Sequence, residues 1–256
     1  MRLANSLKRI FWFYKTRGFR DLFLHLCAKI IRPSRFEKFC STVDIRNSKT
    51  KIALSPVDFI SYLYPEIKKR SIENFVKEAE LKLSDNKYIS SVDFPSKWNS
   101  GRNLQIIIFA ITRLVAPDFV VETGTANGTT ANSWASAMKL NKKGKVITVD
   151  IKNTSLPAVS KENLKYIECQ VSDGSINALS NILQKRNFKN SIFLHDSDHS
   201  YFGQYSDYQA ALNNNFDLLL SDDIDASFAF IDFSENLDSV VLFDERKFIG
   251  GVRLKS

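Results

Sequence analysis

DFVVETGTANGTT, residues 118–130, sets a short apolar run against a turn holding two glycines, with a helix start directly after it. Buried parallel strands read as such apolar runs. A glycine-bearing strand-to-helix turn lets a ligand approach the backbone, where the helix N-terminus offers free N–H groups. The Walker loop is excluded, because it needs a Gly-Lys-Ser/Thr that this turn lacks. The dinucleotide fingerprint GxGxxG does not fit either: Gly124 and Gly128 are spaced GxxxG, and Ala126 stands where the second glycine would be. By itself this spacing serves tight packing of helix on strand equally well.

The rest of the chain supplies context. KVITVD (145–150), LKYIECQ (164–170), SIFLHD (191–196) and FDLLLSDD (216–223) are further short, β-rich apolar runs. Helix-compatible segments separate them: 129–140, the stretch around 155–163, 175–186 and 205–214. That alternation predicts an α/β fold with a doubly wound, mostly parallel Rossmann-like sheet. SVVLFDE (239–245) and KFIGGVRLK (247–255) follow each other closely and predict a C-terminal antiparallel edge hairpin.

The residues ahead of this sheet are helical in pattern. Apolar side chains recur at helical spacing through 3–14 and 19–30, with Pro33 closing the second set. Of the chain's 36 Lys and Arg and 28 Asp and Glu, ten and two fall within 1–38. The main body is therefore neutral, and the net charge of +8 belongs to this basic amphipathic arm. It suits either an anionic membrane surface or packing on protein with a solvated basic face. Ser55-Pro56 starts another helix, Pro65 interrupts it, and Ile72, Phe75, Val76, Ala79 and Leu83 mark the next. The organisation expected is an arm (1–38), a helical N-terminal region (39–103) acting as a lid or dimer surface, and a catalytic domain (104–256). Three scattered cysteines argue against a disulfide framework or structural zinc. With no apolar run of membrane-spanning length and no signal-peptide core, the expected location is cytoplasmic, with peripheral membrane contact through the arm.

Polar stations follow the strands. Asp150 ends the second, where a carboxylate can accept from ribose hydroxyls, and Ser172-Asp173-Gly174 follows the third. ETGTANG, TVD, the SDG turn, HDSDHSY and LLLSDDI together resemble, in order and spacing, class I S-adenosylmethionine-dependent methyltransferases. The nearest likeness is to metal-dependent sugar and macrolide O-methyltransferases, over about residues 100–256. The resemblance implies that Glu122, Gly124, Thr125, Asn127 and Gly128 hold the methionine part of the cofactor, with Asp150 at the ribose. Ser172 and Asp173 would lie at the adenine, and Asp196 beside the cofactor. Two departures stand out: Asn213-Asn214-Asn215 replaces a Gly-Gly before the fifth strand, and Ser197 replaces a glycine.

FLHDSDHS (193–200) and LLLSDD (218–223) end what should be neighbouring parallel strands. That adjacency would gather Asp196, Asp222 and Asp223 as hard oxygen ligands for a divalent metal such as Mg²⁺, and relatives use such a trio. A capping turn would also account for Asp222-Asp223. In an extended loop Asp198 would point with Asp196 toward the site and His199 away. Either remains a candidate base, with His195 behind them. Tyr205 and Tyr208 read as packing and Tyr201 as a pocket wall, while Trp98 and Arg102 could close over the site. The activity expected is metal-assisted O-methylation of a hydroxylated small molecule or glycan. No nucleic-acid partner is expected, and the chain could form a homo-oligomer. A hydroxylase on the same fold, or a non-catalytic membrane-tethered subunit, are the other readings.

Overall fold

The computed structural model describes residues 49–83, 89–91, 94–171, 182–183, 190–244 and 247–255. The arm (1–38), Ser172, Asp173 and nearly all of the helix expected at 175–186 lie outside them.

Eight strands form one sheet: β1 (Thr50–Ala53), β2 (Phe119–Thr123), β3 (Lys145–Asp150), β4 (Ile167–Val171), β5 (Ser191–His195), β6 (Leu218–Ser221), β7 (Ser239–Asp244) and β8 (Lys247–Arg253). Their order is β1-β7-β8-β6-β5-β2-β3-β4. β8 alone runs antiparallel to its neighbours, because a tight hairpin from β7 inserts it beside β6. β1 pairs parallel with the outer side of β7. Its four residues are too short to carry a period, and the sequence reading did not find this strand.

Six helices are described: α1 (Pro56–Leu63), α2 (Lys69–Lys82), α3 (Arg102–Val115), α4 (Thr129–Asn141), α5 (Tyr201–Asn213) and α6 (Ala229–Ser234). Ser55 caps α1 as expected: its hydroxyl accepts from Asp58 N, and Pro56 opens the first turn. Ile72, Val76 and Ala79 of α2 and the apolar run of α3 join one core with Val120, Trp134, Leu194, Leu220 and Ile249. Arg113 of α3 donates to Glu78 Oε2 at 2.9 Å and ties the two helices. Tyr208 of α5 is wholly buried, its hydroxyl 2.7 Å from Ser221 Oγ, which bears out its packing role.

No helix forms at 155–163. Leu156 takes a positive φ of 51° before Pro157, and side chains anchor the segment. Thr154 Oγ1 donates to Ala126 O, and Asn163 Nδ2 donates to Asn132 Oδ1 and Ser136 Oγ. Before β6, Asn215 adopts φ 58°, so asparagine supplies the left-handed turn in place of glycine.

Gly124 sits at φ 89°, and a Cβ there would lie 1.9 Å from the carbonyl oxygen of Asp196. The glycine makes room for protein backbone, where β2 and β5 end side by side. Gly128 is also left-handed, at φ 80°, but a Cβ there would meet side-chain atoms of Leu156 and Val159, at 2.9 Å, and no backbone. Gly124→Ala should therefore cost roughly 2–5 kcal/mol, combining left-handed strain with a backbone clash. Gly128→Ala should cost clearly less, as urea denaturation of both variants would show.

Candidate active site

The C-terminal ends of β2, β3, β5 and β6 all open on one edge of the sheet. The loops stay hooked together past the strand ends. Gly124 N donates to Val149 O at 2.8 Å, Asp196 N to Thr123 O at 2.9 Å, and Asp222 N to His195 O at 2.9 Å. These bonds bring Glu122, Asp150, Asp196 and Asp222 to one crevice, where open α/β sheets bind their ligands.

Asp150 binds the glycine turn itself. Its Oδ2 accepts from Thr125 N at 2.8 Å and Ala126 N at 2.9 Å, so the acidic end of β3 and the free N–H groups of the turn meet directly. Glu122 lies beneath the turn, fully buried. Trp134 Nε1 donates to its Oε2 at 3.1 Å and Thr148 Oγ1 to its Oε1 at 3.0 Å. Thr125 also faces inward, with Oγ1 2.6 Å from Thr148 Oγ1. Asn127 turns toward the preceding segment. Its Nδ2 donates to Phe94 O at 3.0 Å and Asn99 Oδ1 at 2.8 Å, while its buried Oδ1 has no partner. Ser100 Oγ adds a 3.0 Å contact with Thr129 Oγ1. Residues 94–100 thus cover the turn, held by the asparagine that the sequence reading assigned to the cofactor. Arg102 Nη2 donates to Glu80 O of α2 at 3.2 Å. Trp98 and Tyr201 are partly exposed.

The histidine–aspartate loop differs from the extended form expected. Asp198 is exposed and folds onto the start of α5: its Oδ1 accepts from Ser200 N at 3.0 Å and its Oδ2 from Ser200 Oγ at 2.9 Å. Ser200 caps that helix, and this local competition for N–H groups turns the aspartate out of the crevice. His199 points inward instead, with Nε2 3.5 Å from Asp223 Oδ2 and Nδ1 buried without a partner. His195 is wholly buried, with Nδ1 2.7 Å from Asp207 Oδ2. That carboxylate oxygen also accepts from Thr123 Oγ1, and His195 Nε2 is buried without a partner. The two imidazole rings meet edge to face at 5.9 Å.

Lys247, which the sequence reading missed, enters the acidic cluster from the start of β8. Its ammonium pairs with Asp222 Oδ2 and lies 3.6 Å from Asp223 Oδ2. Asp222 Oδ1 is buried with no partner. Among the described residues no three His, Cys, Asp or Glu side chains are placed to hold a metal ion. The expected ligand set of Asp196, Asp222 and Asp223 therefore does not fit a divalent ion in this arrangement, because a protein cation stands among the carboxylates. A charged residue beside a hairpin turn reads in sequence as solvated, which is why Lys247 gave no signal.

Burial dominates the site's proton affinities. It holds His199 down to about 4, helped by His195 and Lys247 and opposed by Asp223 and Asp198. The imidazole is thus neutral at pH 7. Burial and the like charge of Asp222 push the Asp196 carboxyl well above the ordinary range. Burial also works against the Lys247 ammonium, but Asp222, Asp196 and Asp223 outweigh it and keep the side chain charged.

Residues 100–211 match a family model described as rhamnosyl O-methyltransferase/CmcI. The match holds the glycine turn, Asp150 and the loop at 193–200, while Asp222, Asp223 and Lys247 lie beyond it. No curated protein sequence matches the chain. Among solved structures, the O-methyltransferase TomG of Streptomyces achromogenes, involved in tomaymycin synthesis and bound to S-adenosylmethionine, superposes with TM-score 0.53 at 14% identity. The superposition covers 73% of this chain and 98% of that one. CmcI with magnesium and S-adenosylmethionine gives 0.45 at 14% identity, covering 65% and 77%. An O-methyltransferase from Bacillus cereus with S-adenosylhomocysteine gives 0.45 at 11%, covering 78% and 97%. The TomG likeness establishes the shared fold, and with the family match it upholds the resemblance to class I methyltransferases.

Glu122 offers a pH test of the crevice floor. Burial pushes it up to about 7, against hydrogen bonds from Thr130, Thr148 and Trp134 that lower it. Native Glu122 keeps its proton where the unfolded chain has lost it. Its contribution is full below the unfolded value near 4.5 and disappears as pH rises through about 7. The gap corresponds to about 3 kcal/mol. Melting temperature should fall between about pH 5 and about pH 8, and Glu122→Gln should flatten that fall; an unchanged slope in calorimetric scans would count against this account.

Proposed function

We propose that the protein is an S-adenosylmethionine-dependent O-methyltransferase acting on a hydroxylated small molecule or glycan. The observation that carries this is the meeting of Asp150 with the glycine turn at the crevice, inside the stretch matched by the O-methyltransferase family model. The other carboxylate oxygen of Asp150 accepts a 3.4 Å bond from Lys152 N and keeps a lone pair for ribose hydroxyls, and the residues around Gly124–Gly128 take the methionine part. Asp173, outside the described residues, remains the proposed adenine contact.

In the transfer, the acceptor oxygen attacks the sulfonium methyl in line. A C–O bond forms as the C–S bond breaks, leaving S-adenosylhomocysteine and a methyl ether. The acceptor's proton goes to a base. Of the two candidates, His199 is the better placed: it is neutral, half-buried and turned toward Asp223, whereas Asp198 is spent on the helix cap. Holding reactants in line supplies much of the acceleration, and the segment over the turn excludes water from it. That cover supports a lid role for part of 39–103.

Calorimetric titration of S-adenosylmethionine and S-adenosylhomocysteine should give binding of both, weakened about tenfold to a hundredfold by Asp150→Ala. No binding to the wild type would end this reading. With a panel of vicinal-diol acceptors, His199→Ala should lower kcat about 10²–10⁴-fold with cofactor affinity kept, and Asp198→Ala should lower it far less.

The basic arm gives the proposal a second part, peripheral contact with an anionic membrane. No described helix is long and apolar enough to cross one. Removing residues 1–38 should abolish flotation with anionic liposomes; undiminished flotation would reject the contact.

A further inference from the structure

Lys247 is 6% exposed, yet no hydrophobic role suits an ammonium. Its backbone is fixed, since Lys247 pairs with Asp244 across the β7–β8 hairpin and the strand runs on through Gly250, opposite Ser221 of β6. The side chain can therefore only reach along β8 toward the end of β6, where Asp222 and Asp223 follow directly. Asp222 is wholly buried, with one oxygen on the ammonium and the other partnerless. Asp223, at φ 49°, is turned so that its carboxylate faces both Lys247 and His199. Two adjacent carboxylates and the neighbouring Asp196 would repel one another in a buried site with no cation. The protein supplies one covalently. A divalent ion bound by the same oxygens would have to displace an ammonium tied to a sheet strand, or lie against it as a like charge.

We propose that Lys247 is the resident cation of the acidic crevice, taking the electrostatic place that the sequence assigns to a divalent metal. Lys247 acts as a positioning residue: it holds the Asp222–Asp223 turn, and through it the Asp223 carboxylate against His199. Cofactor binding then needs no added divalent ion, and removing the charge at position 247 creates a metal site that the natural chain does not have. This inference deepens the function proposed above, but metal binding reads it without methyl transfer, so the two can fail separately.

The test is Mn²⁺ titration of the full chain, followed by electron paramagnetic resonance of free Mn²⁺ and by calorimetry. The wild type and Lys247→Arg, which keeps the charge, should bind Mn²⁺ no tighter than millimolar. Lys247→Gln should gain at least tenfold in affinity and lose the gain when Asp222→Asn is added. Binding of S-adenosylmethionine to the wild type should be indifferent to EDTA. Tight Mn²⁺ binding by the wild type, no gain in Lys247→Gln, or an equal gain in Lys247→Arg would each overturn the proposal. If Lys247→Gln does not fold, the wild type decides alone: micromolar Mn²⁺ affinity overturns the proposal, and no binding up to millimolar Mn²⁺ supports it.

Discussion

The structure turns on the side-by-side ending of β2 and β5. Gly124 packs against the Asp196 carbonyl with no room for a side chain, and Asp196 N closes onto Thr123 O. Once those loops are joined, the Asp222 bond to His195 O and the Gly124 bond to Val149 O align the loops on either side. Parallel strands normally leave their C-terminal loops free to diverge. Here a backbone bond at each step makes them converge, and the convergence concentrates carboxylates in a crevice.

That concentration sets the electrostatics. Glu122, Asp196 and Asp222 are all raised, each with burial as the leading cause. Buried carboxylates in and beside the crevice are answered in three ways. Glu122 is answered by hydrogen bonds from Trp134 and Thr148, Asp207 by His195 and Thr123, and Asp222 by the Lys247 ammonium. Each answer comes from a different strand or helix, so the charge balance depends on the whole sheet being assembled.

Much of this was legible in the sequence, for stated reasons. The strand–helix rhythm gave the parallel sheet because each buried strand is a short apolar run, and the glycine turn and Asp150 were found because they end such runs. Asparagine's tolerance of left-handed backbone correctly kept the turn before β6. The reading of Asp198 failed on a local contest. Period-two alternation assumes an extended loop, while Ser200 beginning α5 drew the carboxylate to its own N–H and hydroxyl. Asn127 was placed in the cofactor site by the resemblance, and nothing in the sequence signals that its amide nitrogen also holds groups 28 to 33 residues upstream. Lys247 and the helix absent at 155–163 show the same limit, since both are settled by partners far away in sequence. β1 was hidden by its brevity.

The position of β1 matters for any shortened form of the chain. β7 presents Val240, Val241 and Leu242, and β1 covers its outer edge with four residues that begin beside Lys49 and carry Lys51 outward. An uncovered strand of that composition is a template for pairing with other chains, and short, lysine-bearing edge strands are a usual protection. Removing the residues through Ala53 would take one small side chain from the core and leave the crevice residues in place, but open this edge. The shortened protein would then be prone to aggregate through β7, a hazard that lies in a segment remote from the chemistry.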